Sequence, residues 1–365
     1  MAKKKLKIGV LFGGKSAEHE VSLQSAKNVI EMLDKKKYDV ISIGIDKSGR
    51  WLLNSTSNYL LNSDNVKFVK LNKSNKEVVL HADNKGKLVS VNDEKSGSKI
   101  DVIIPMLHGP FGEDGSVQGL LKLAGIPFVG AGVLGSAVSM DKDVMKRLLR
   151  DTGVSVGKFF VLNMGENLSF KETKKRLGMP VFIKPANLGS SVGISKVKNE
   201  KEYKKALKEA FKYDSKIIVE EFIDGRELAI AVLGNESPQA SIPCEIITDR
   251  EFYDYEAKYS NEHGALIDIP AKISKTLSKK ARKIAVDSYK VLACEGMARV
   301  DLFLQKKNNK FVVCEINTIP GFTSHSMYPK LWEASGIPLT KLLDKLIDLA
   351  LERFEKEKKL KTSVK

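Results

Sequence analysis

The chain has 365 residues, of which 42% are hydrophobic and 29% are charged, and its formal net charge is +16. That length is enough for two or three domains, and no apolar run approaches the roughly 18 residues of a membrane span, so we expect no membrane partner. The lysines are spread out without the arginine clusters and interleaved aromatic residues of a nucleic-acid surface, and the three cysteines lack disulfide or zinc spacing, so we expect no nucleic-acid partner and a reducing, cytoplasmic location.

The first third of the chain alternates short apolar strands with amphipathic helices. This order is typical of a doubly wound, Rossmann-like parallel sheet, which we place at residues 1–138. Between about 46 and 100 the sequence turns polar, with brief strand-like runs at 78–80 and 88–91, and indicates an insertion of short strands and loops. The other predicted elements are strands at 8–12, 40–45 and 102–106 and helices at 20–33 and 117–123.

The rest of the chain predicts two further domains of mixed α/β structure, at 139–227 and 228–365. The second domain begins with a helix that we expect to run from 139 through 149, and it contains two strands that flank a glycine-serine loop. The remaining predicted elements are a strand at 159–162, helices at 171–177, 274–292 and 339–354, and a hairpin at 298–318.

The predicted hairpin carries its polar residues on one face. Alternation places Arg299 and Asp301 on one face of the first strand and Glu315 and Asn317 on one face of the second, with Cys314 turned the other way. A register that pairs Asp301 with Glu315 also pairs Arg299 with Asn317. Oxygen ligands of this kind suit Mg²⁺ or Mn²⁺. The same pattern is also compatible with a surface hairpin whose polar face meets solvent.

The glycine-serine loop of the second domain has the composition of a phosphate-binding turn. Gly189, Ser190, Ser191 and Gly193 can fold their backbone N–H groups over an anion, and Lys184 ends the preceding strand. The loop is not a Walker motif, because no Gly-Lys-Ser/Thr precedes a helix. A plain hairpin turn remains the alternative.

The strand predicted at 217–223 is apolar and ends in two acids. A carboxylate at a strand edge, together with neighbouring backbone amides, can read the edge of an adenine, and Glu227 can accept the hydroxyl groups of a ribose. An ordinary strand that leads into a turn is the alternative for this segment.

Six motifs occur in an order that resembles one known family over nearly the whole chain. They lie at 12–22, 107–115, 139–142, 184–193, 253–259 and 321–326. With them, the chain resembles the ATP-grasp superfamily and, within it, the D-alanine–D-alanine ligase family. The resemblance implies an ATP-grasp fold preceded by the Rossmann-like domain, and ligation of two D-alanine molecules at the expense of ATP for peptidoglycan precursor synthesis.

The resemblance also implies roles for individual residues in ATP binding. The phosphates would be bound by lysines, and two Mg²⁺ or Mn²⁺ ions would bridge the transferred phosphoryl group and offset its charge. The implied residues are Lys142 and Lys184 for the phosphates, Glu220, Phe222 and Ile223 for the adenine, Glu227 for the ribose, and Asp301, Glu315 and Asn317 for the metals.

For the amino acids, the resemblance implies that a first D-alanine carboxylate attacks the γ-phosphate and that the amine of a second D-alanine then attacks the acyl phosphate. A mobile loop at about 250–262 would close over the site and exclude water. The implied residues are Arg299 and Gly321 for the oxyanion hole, Glu18, Ser190, Tyr259 and His108 for the first substrate, Ser326 and Met327 for the second, and Lys258 in the loop.

Other functions remain open at this point. Gly13 and Gly14 follow a strand and Asp46 ends the next one, as in a nicotinamide-dependent dehydrogenase, but the GxGxxG fingerprint is absent. A ligase that takes D-lactate or D-serine as second substrate stays open as well, and so does a non-catalytic nucleotide-binding regulator. Tyr259 argues against D-lactate, and the complete set of implied residues argues against a regulator. The resemblance further implies a homodimer.

Overall fold

The computed structural model describes residues 4–54, 59–62, 69–72, 76–81, 86–91, 93–247, 266–361 and 363–364. Its N-terminal part contains a four-stranded sheet in the order β3-β2-β1-β9, in which β1 is parallel to both of its neighbours. The elements of this part are β1 (Leu6–Gly13), α1 (His19–Met32), β2 (Tyr38–Ile45), β3 (Trp51–Asn54), β4 (Leu60–Leu61), β5 (Lys70–Leu71), β6 (Val78–Leu80), β7 (Lys87–Ser90), β8 (Asp93–Lys99), β9 (Val102–Met106) and α2 (Ser116–Leu123).

The parallel sheet buries both of its faces. Ile8 and Val10 of β1 pack with Leu23 of α1, whereas Leu11, on the opposite face of the same strand, packs with Leu121 of α2. Alternate side chains along a strand point to opposite faces, so an apolar strand covered by helices on both sides is the expected result. The predicted doubly wound sheet is confirmed, and two small sheets, β4-β5 and β6-β7-β8, occupy the predicted insertion.

The central part is an antiparallel sheet in the order β10-β13-β11-β12. One prediction is wrong here, because the helix expected from 139 through 149 is two helices with a break at Asp141. The Asp141 side chain caps the second helix by accepting from the backbone N–H groups of Asp143 and Val144 at 3.0 and 3.1 Å. The elements are α3 (Val133–Met140), α4 (Lys142–Asp151), β10 (Phe159–Asn163), α5 (Phe170–Leu177), β11 (Val181–Pro185), β12 (Ser195–Val197), α6 (Glu200–Ala210) and β13 (Lys216–Glu221).

The C-terminal part is built on an antiparallel sheet in the order β17-β16-β14-β18-β19, whose strands differ in length. Its first long strand, β14, spans the domain boundary predicted at 227/228, and the division into three domains stays a prediction. The elements are β14 (Gly225–Leu233), β15 (Gln239–Ala240), β16 (Cys244–Ile247), β17 (Leu266–Asp268), α7 (Lys275–Val291), β18 (Met297–Gln305), β19 (Phe311–Asn317), α8 (Met327–Ala334) and α9 (Leu339–Glu357).

The predicted hairpin is present as β18-β19, and its register brings the residues of the two polar faces opposite each other. Asp301 pairs with Glu315 and Arg299 pairs with Asn317. A β-bulge follows, because Leu302 pairs with Val313 and leaves Cys314 as the extra residue. The expectation that Cys314 turns away from Glu315 is therefore wrong, since the bulge puts both residues on the same cleft.

The last helix, α9, packs against both the N-terminal sheet and β14. Leu342 and Leu346 belong to the same buried cluster as Ile8 of the N-terminal sheet and Ala229 of β14. Arg353, which is 7% exposed, donates to the carbonyl oxygens of Phe128 and Gly130 at 2.7 and 2.6 Å. No helix among the described residues is long and apolar enough to cross a membrane.

Candidate active site

Two clefts meet where the three parts of the chain come together. We call them the inner cleft, beside β19 and the end of β1, and the outer cleft, between the central sheet and β14. Four residues line both clefts, so the clefts are continuous. These residues are Lys142, Gly189, Ser190 and Glu315.

The inner cleft brings together most of the residues that the resemblance assigns to amino-acid substrates. From the N-terminal and central parts it is lined by Glu18, His108, Lys142 and Ser190. From the C-terminal part it is lined by Arg299, Glu315, Asn317, Gly321, Ser326 and Met327. Lys258 and Tyr259, with the loop expected at 250–262, lie outside the described residues.

The outer cleft brings together the residues expected to contact a nucleotide. The rings of Phe182 and Phe222 face each other across 6.3 Å, and Phe222 is 39% exposed, which leaves an apolar surface beside charged groups. The predicted nucleotide residues that line this cleft are Lys142, Lys184, Ser191, Glu220, Phe222, Ile223 and Glu227.

The charged pair at the hairpin is rigid. The Arg299 guanidinium donates two hydrogen bonds to the Asp301 carboxylate, from Nε at 2.8 Å and from Nη2 at 2.7 Å. Asp301 is 3% exposed, and a two-point contact of this kind fixes the plane of the guanidinium. Asn317 points its Oδ1 atom back to accept from the Ile319 N–H at 3.0 Å. Arg299 and Asn317 thereby line the inner cleft, whereas Asp301, which holds the guanidinium, lines neither the inner nor the outer cleft.

Glu220 is held between two buried lysines in the outer cleft. Its Oε1 atom forms an ion pair with Lys184 and its Oε2 atom one with Lys146, the latter at 2.9 Å. Burial raises the pKa of Glu220, but the charges of Lys146 and Lys184 outweigh burial and lower it to about 2. Burial likewise opposes the charge on Lys184, yet Glu220 holds the pKa of that ammonium above its usual value. Lys184 therefore stays cationic at the cleft wall.

Lys142 is the first residue of α4, directly after the capping Asp141. Its backbone N–H donates to Ala186 O at 3.0 Å, and its Nζ donates to Leu188 O at 2.6 Å. Burial lowers the pKa of this lysine, opposed by the charge of Glu315. Lys142 therefore joins α4 to the glycine-serine loop at the place where the two clefts meet.

The glycine-serine loop adopts an unusual backbone. Ser190 and Ser191 have φ angles of +50° and +60°, and Gly193 has +71°. Left-handed conformations are costly for residues other than glycine, and they expose successive N–H groups in a way that suits an anion. The Ser190 hydroxyl also donates to Oε1 of Glu18, so this loop contacts the N-terminal part directly.

Glu18 lies where β1 passes into α1. It occupies the N-cap position, but its carboxylate makes no capping hydrogen bond and turns instead towards Ser190. Gly109 leaves room for it, because a Cβ atom at Gly109 would lie 2.7 Å from Glu18 Oε2. The Glu18 residue is 8% exposed, and it lines the inner cleft.

His108 connects the end of β9 to the segment around Gly321. Its Nε2 atom lies 3.0 Å from Ser25 Oγ, and its Nδ1 atom lies 3.0 Å from Ile319 O. Ser25 Oγ in turn accepts from the Phe322 N–H at 3.2 Å. These contacts hold the backbone of the C-terminal segment against α1.

Ser326 lies at the start of α8, close to Gly321, where a side chain would clash with the serine hydroxyl. Ser326 Oγ accepts from Thr323 N–H at 2.9 Å, and a Cβ atom at Gly321 would lie 2.8 Å from that same oxygen. Met327 follows and is 7% exposed. The turn from Gly321 to Ser326 is therefore closed tightly around a wall of the inner cleft.

Sequence reasoning missed three residues of these clefts. Lys146 lies four positions after Lys142 on α4, so helical spacing was the available signal. Glu113 lies inside the recognised motif at 107–115, where nothing in the pattern distinguishes it from its neighbours. Cys314 enters the outer cleft only through the bulge. In the described part of the chain no three His, Cys, Asp or Glu side chains form a group that could hold a metal.

Comparison with known proteins gives consistent results over both halves of the chain. Family models described as "D-ala D-ala ligase N-terminus" and "D-ala D-ala ligase C-terminus" match residues 7–131 and 148–348. D-alanine–D-alanine ligase of Oceanobacillus iheyensis is 52% identical over 98% of this chain and 99% of that protein. D-alanine–D-alanine ligase A of Escherichia coli K12 is 50% identical over 99% of this chain and 100% of that protein.

Solved structures agree with the sequence comparisons. The D-alanine–D-alanine ligase from Coxiella burnetii superposes with a TM-score of 0.85 at 39% identity, over 98% of this chain and 97% of the other. VanG D-Ala:D-Ser ligase from Enterococcus faecalis gives a TM-score of 0.83 at 39% identity, over 95% and 100%. The ATP-grasp fold expected from the six motifs is confirmed.

Proposed function

This chain belongs to the D-alanine–D-alanine ligase family, and from the geometry of its two clefts we propose how it joins two D-alanine molecules while ATP is converted to ADP and phosphate. The observation that carries the proposal is the continuity of the clefts at Lys142 and Glu315. A γ-phosphate that enters from the outer cleft meets a carboxylate held in the inner cleft at this point. The proposed reaction takes place in the cytoplasm, where ATP is available.

The outer cleft binds the nucleotide. The phenyl ring of Phe222 covers one side of the adenine, with Ile223 and Glu220 at the strand end, and Glu227 accepts the ribose hydroxyls. Lys142 and Lys184 contact the phosphates, and the N–H groups around Ser191 cover them. The Glu220 carboxylate already pairs with two lysines. We therefore assign adenine binding to the whole end of β13 and not to this carboxylate alone.

The donor set at the hairpin fits hard divalent cations. Asp301 and Glu315 supply carboxylates on paired positions, and Asn317 supplies an amide oxygen one pair further along. Mg²⁺ and Mn²⁺ prefer oxygen ligands and share them with nucleotide phosphates and water, so a set of two carboxylates and one amide is sufficient. We place two such ions here, and their chemistry is to neutralise charge on the transferred phosphoryl group.

The reaction proceeds in two transfers. A carboxylate oxygen of the first D-alanine bonds to the γ-phosphorus while ADP leaves, which gives D-alanyl phosphate. The amine of the second D-alanine bonds to the acyl carbon, loses a proton, and phosphate leaves. Arg299 and the Gly321 N–H face the oxygen that becomes negative in this second step, and Asp301 fixes the guanidinium for that purpose.

The amino acids are held by the walls of the inner cleft. Glu18, supported by Ser190 and by Tyr259 of the loop that includes Lys258, binds the ammonium group of the first D-alanine, and His108 lies beside it. Ser326 and the backbone of Met327 bind the carboxylate of the second. The loop at 250–262 excludes water from the acyl phosphate.

A homodimer is part of the proposal. Leu120 and Leu123 of α2 are 42% and 80% exposed, and Leu134 of the adjoining α3 is 64% exposed. Exposed leucines that gather on two packed helices are typical of a protein interface. Sedimentation of the wild type and of a Leu123→Asp variant tests this contact, and dimers of equal stability in both would exclude it.

Coupled measurement of phosphate release with product identification by mass tests the reaction. We expect phosphate release with ATP and D-alanine, little with L-alanine, and D-alanyl-D-alanine as the product. Added D-serine or D-lactate shows whether either is a better second substrate, as the D-serine activity in the name of one structural relative suggests. Absence of a dipeptide with D-alanine, or a predominant D-serine product at equal concentrations, would contradict the proposal.

A further inference from the structure

Glu113 is a buried carboxylate in the inner cleft to which the proposed reaction gives no role. It is 7% exposed and lines that cleft together with Glu18 and His108. Its Oε1 atom accepts no hydrogen bond from the described residues. A buried carboxylate oxygen without a donor costs free energy, so it is expected where a ligand supplies the missing partner.

His108 does not satisfy this oxygen. The His108 Nδ1 atom lies 3.8 Å from Glu113 Oε1, which is beyond hydrogen-bond distance, and the same nitrogen already contacts Ile319 O at 3.0 Å. The other ring nitrogen is engaged by Ser25. The imidazole therefore lends electrostatic support to Glu113 and leaves its oxygen available to the cleft.

The loop that carries Glu113 is held firmly. The Glu113 N–H donates to Gly109 O at 3.0 Å, and Gln118 Nε2 donates to Gly112 O at 2.7 Å. A Cβ atom at Gly112 would lie 2.4 Å from Leu107 O, so the chain at this point is packed against β9. The side chain is consequently placed by its backbone and has little freedom to seek another partner.

Sheet topology explains why Glu18 and Glu113 line the same cleft. Glu18 follows the carboxyl end of β1, and Glu113 follows the carboxyl end of β9, the parallel neighbour of β1. After β1 the chain passes through α1 to β2, which pairs with one edge of β1, whereas β9 pairs with the other edge. The gap between β1 and β9 is therefore the switch point of this sheet. Ligands of doubly wound sheets bind outside the carboxyl ends of strands at such a point.

We propose that Glu113 and Glu18 together receive the ammonium group of the first amino acid, with Glu113 Oε1 accepting one of its three N–H donors. This inference rests on the proposed function, and it adds a second acidic receptor at the same site. An ammonium group offers three donors and a positive charge, which matches two carboxylates that line the same cleft. Burial, together with the charge of Glu18, raises the pKa of the Glu113 carboxyl against the opposing effect of His108, and a bound cation relieves both influences.

The pair of carboxylates also sets specificity at the first position. A 2-hydroxy acid such as D-lactate has one O–H donor there and no positive charge, so it would leave two neighbouring acids without compensation. Discrimination between amino and hydroxy acids at the first position is therefore expected to depend on Glu113 as well as on Glu18.

The test compares Glu113→Gln with Asp114→Asn. Asp114 is the next residue of the same loop and accepts from the N–H groups of Phe111 and Ser116, so its replacement loosens the loop without touching the cleft. In Glu113→Gln we expect the apparent KM for the first D-alanine to rise about 10- to 100-fold, with the KM for ATP within about twofold. Asp114→Asn should leave both constants within about twofold. An unchanged first KM in Glu113→Gln, or an equal rise in both variants, overturns the proposal.

Product analysis with D-lactate and D-alanine together provides a second readout. Glu113→Gln should increase the ratio of D-lactoyl-D-alanine to D-alanyl-D-alanine about 10-fold or more over wild type. The isomeric ester D-alanyl-D-lactate is recognised because mild base cleaves it and leaves the amide intact. A ratio equal to that of wild type contradicts the role in specificity.

Ligand binding measured without turnover tests this proposal independently of the reaction. It also shows whether a variant is folded. D-alanine should raise the melting temperature of wild type and of Asp114→Asn in the presence of ADP, and should raise that of Glu113→Gln much less. Glu113→Asp, which keeps the charge on a shorter stem, should show an intermediate rise. If wild type forms no dipeptide, the proposed function is wrong. If wild type forms the dipeptide and D-alanine raises the melting temperature of Glu113→Gln as much as that of wild type, only the role of Glu113 is contradicted.

Discussion

The outer and inner clefts differ in how their buried charges are paired. In the outer cleft, Glu220 is enclosed by Lys146 and Lys184, so this buried carboxylate has its counter-ions within the protein. In the inner cleft, Glu113 has an oxygen that no described residue satisfies. Glu220 is thus paired by the protein alone, whereas we propose that Glu113 is paired by the substrate.

The largest effect is expected where the two clefts meet. Glu315→Gln removes a negative charge that lines both of them, and we expect turnover to fall about 10²- to 10³-fold, on the scale of losing a principal electrostatic stabiliser. The melting temperature should match that of Glu333→Gln, a surface control on α8. Near-normal turnover of the variant across a Mg²⁺ titration would refute the assignment of Glu315 as a metal ligand.

Breaking the enclosed charge set of the outer cleft should cost stability. Glu220→Gln leaves two buried lysines without a counter-ion, and we expect the free energy of unfolding at neutral pH to fall by about 3 kcal/mol. The control is Glu172→Gln, which breaks an exposed pair with Arg176 and should change unfolding within error.

The same pair predicts a pH dependence with a definite sign. Because the pKa of Glu220 is lowered from 4.5 to about 2 in the folded protein, its contribution is complete above about pH 4.5 and is lost as the pH falls towards 2. Denaturant titrations of wild type and Glu220→Gln should therefore converge on acidification. A difference that stays constant between about pH 7 and pH 3 would show that the ion pairs are not its source.

A smaller effect is expected from the neutral hydrogen bonds that position the inner cleft. Ser25→Ala removes the hydroxyl between His108 Nε2 and the Phe322 N–H, and should lower the free energy of unfolding by about 1–2 kcal/mol. Ser288→Ala is the matched control, because Ser288 Oγ is buried and makes no hydrogen bond to the described residues. Equal stability losses in the two variants would mean that the Ser25 contacts contribute nothing specific.

The smallest effect is expected at Met327, the first residue of α8. Met327→Leu conserves volume in a buried position whose backbone, and not its side chain, is proposed to face the second substrate. We expect kcat and both KM values to stay within about twofold of wild type. A larger change in the second KM, measured by D-alanine saturation, would assign the side chain itself to substrate binding.

Sequence reasoning was most successful where a period of two was enforced by burial. Alternation along β18 and β19 predicted the polar faces that carry Asp301 and Glu315, and the structure pairs these two residues. The bulge at Cys314 could not be predicted, because an extra residue in one strand depends on how the neighbouring loops close. The break at Asp141 was missed because no glycine or proline separates the two helices, and the capping role of the Asp141 side chain depends on the folded backbone.

The residues of the site divide in the same way. Glu18, Lys142, Lys184 and Gly321, which lie in recognised motifs, line the clefts as expected, because those motifs carry the backbone geometry with them. Glu113 lies within such a motif, but its significance comes from an unsatisfied oxygen, and hydrogen-bond satisfaction is a property of the folded chain alone. Lys146 similarly gains its role from facing Glu220 across the outer cleft.

The central claim is that a D-alanine carboxylate attacks the γ-phosphate where the clefts meet at Lys142 and Glu315. The most direct test uses D-alanine labelled with ¹⁸O in both carboxylate oxygens, with ATP, followed by mass analysis of the phosphate released. Because the attacking oxygen leaves with the phosphoryl group, we predict one ¹⁸O atom in each phosphate formed. Phosphate without ¹⁸O, accompanied by normal dipeptide formation, would contradict the acyl phosphate and the arrangement of the site derived from it.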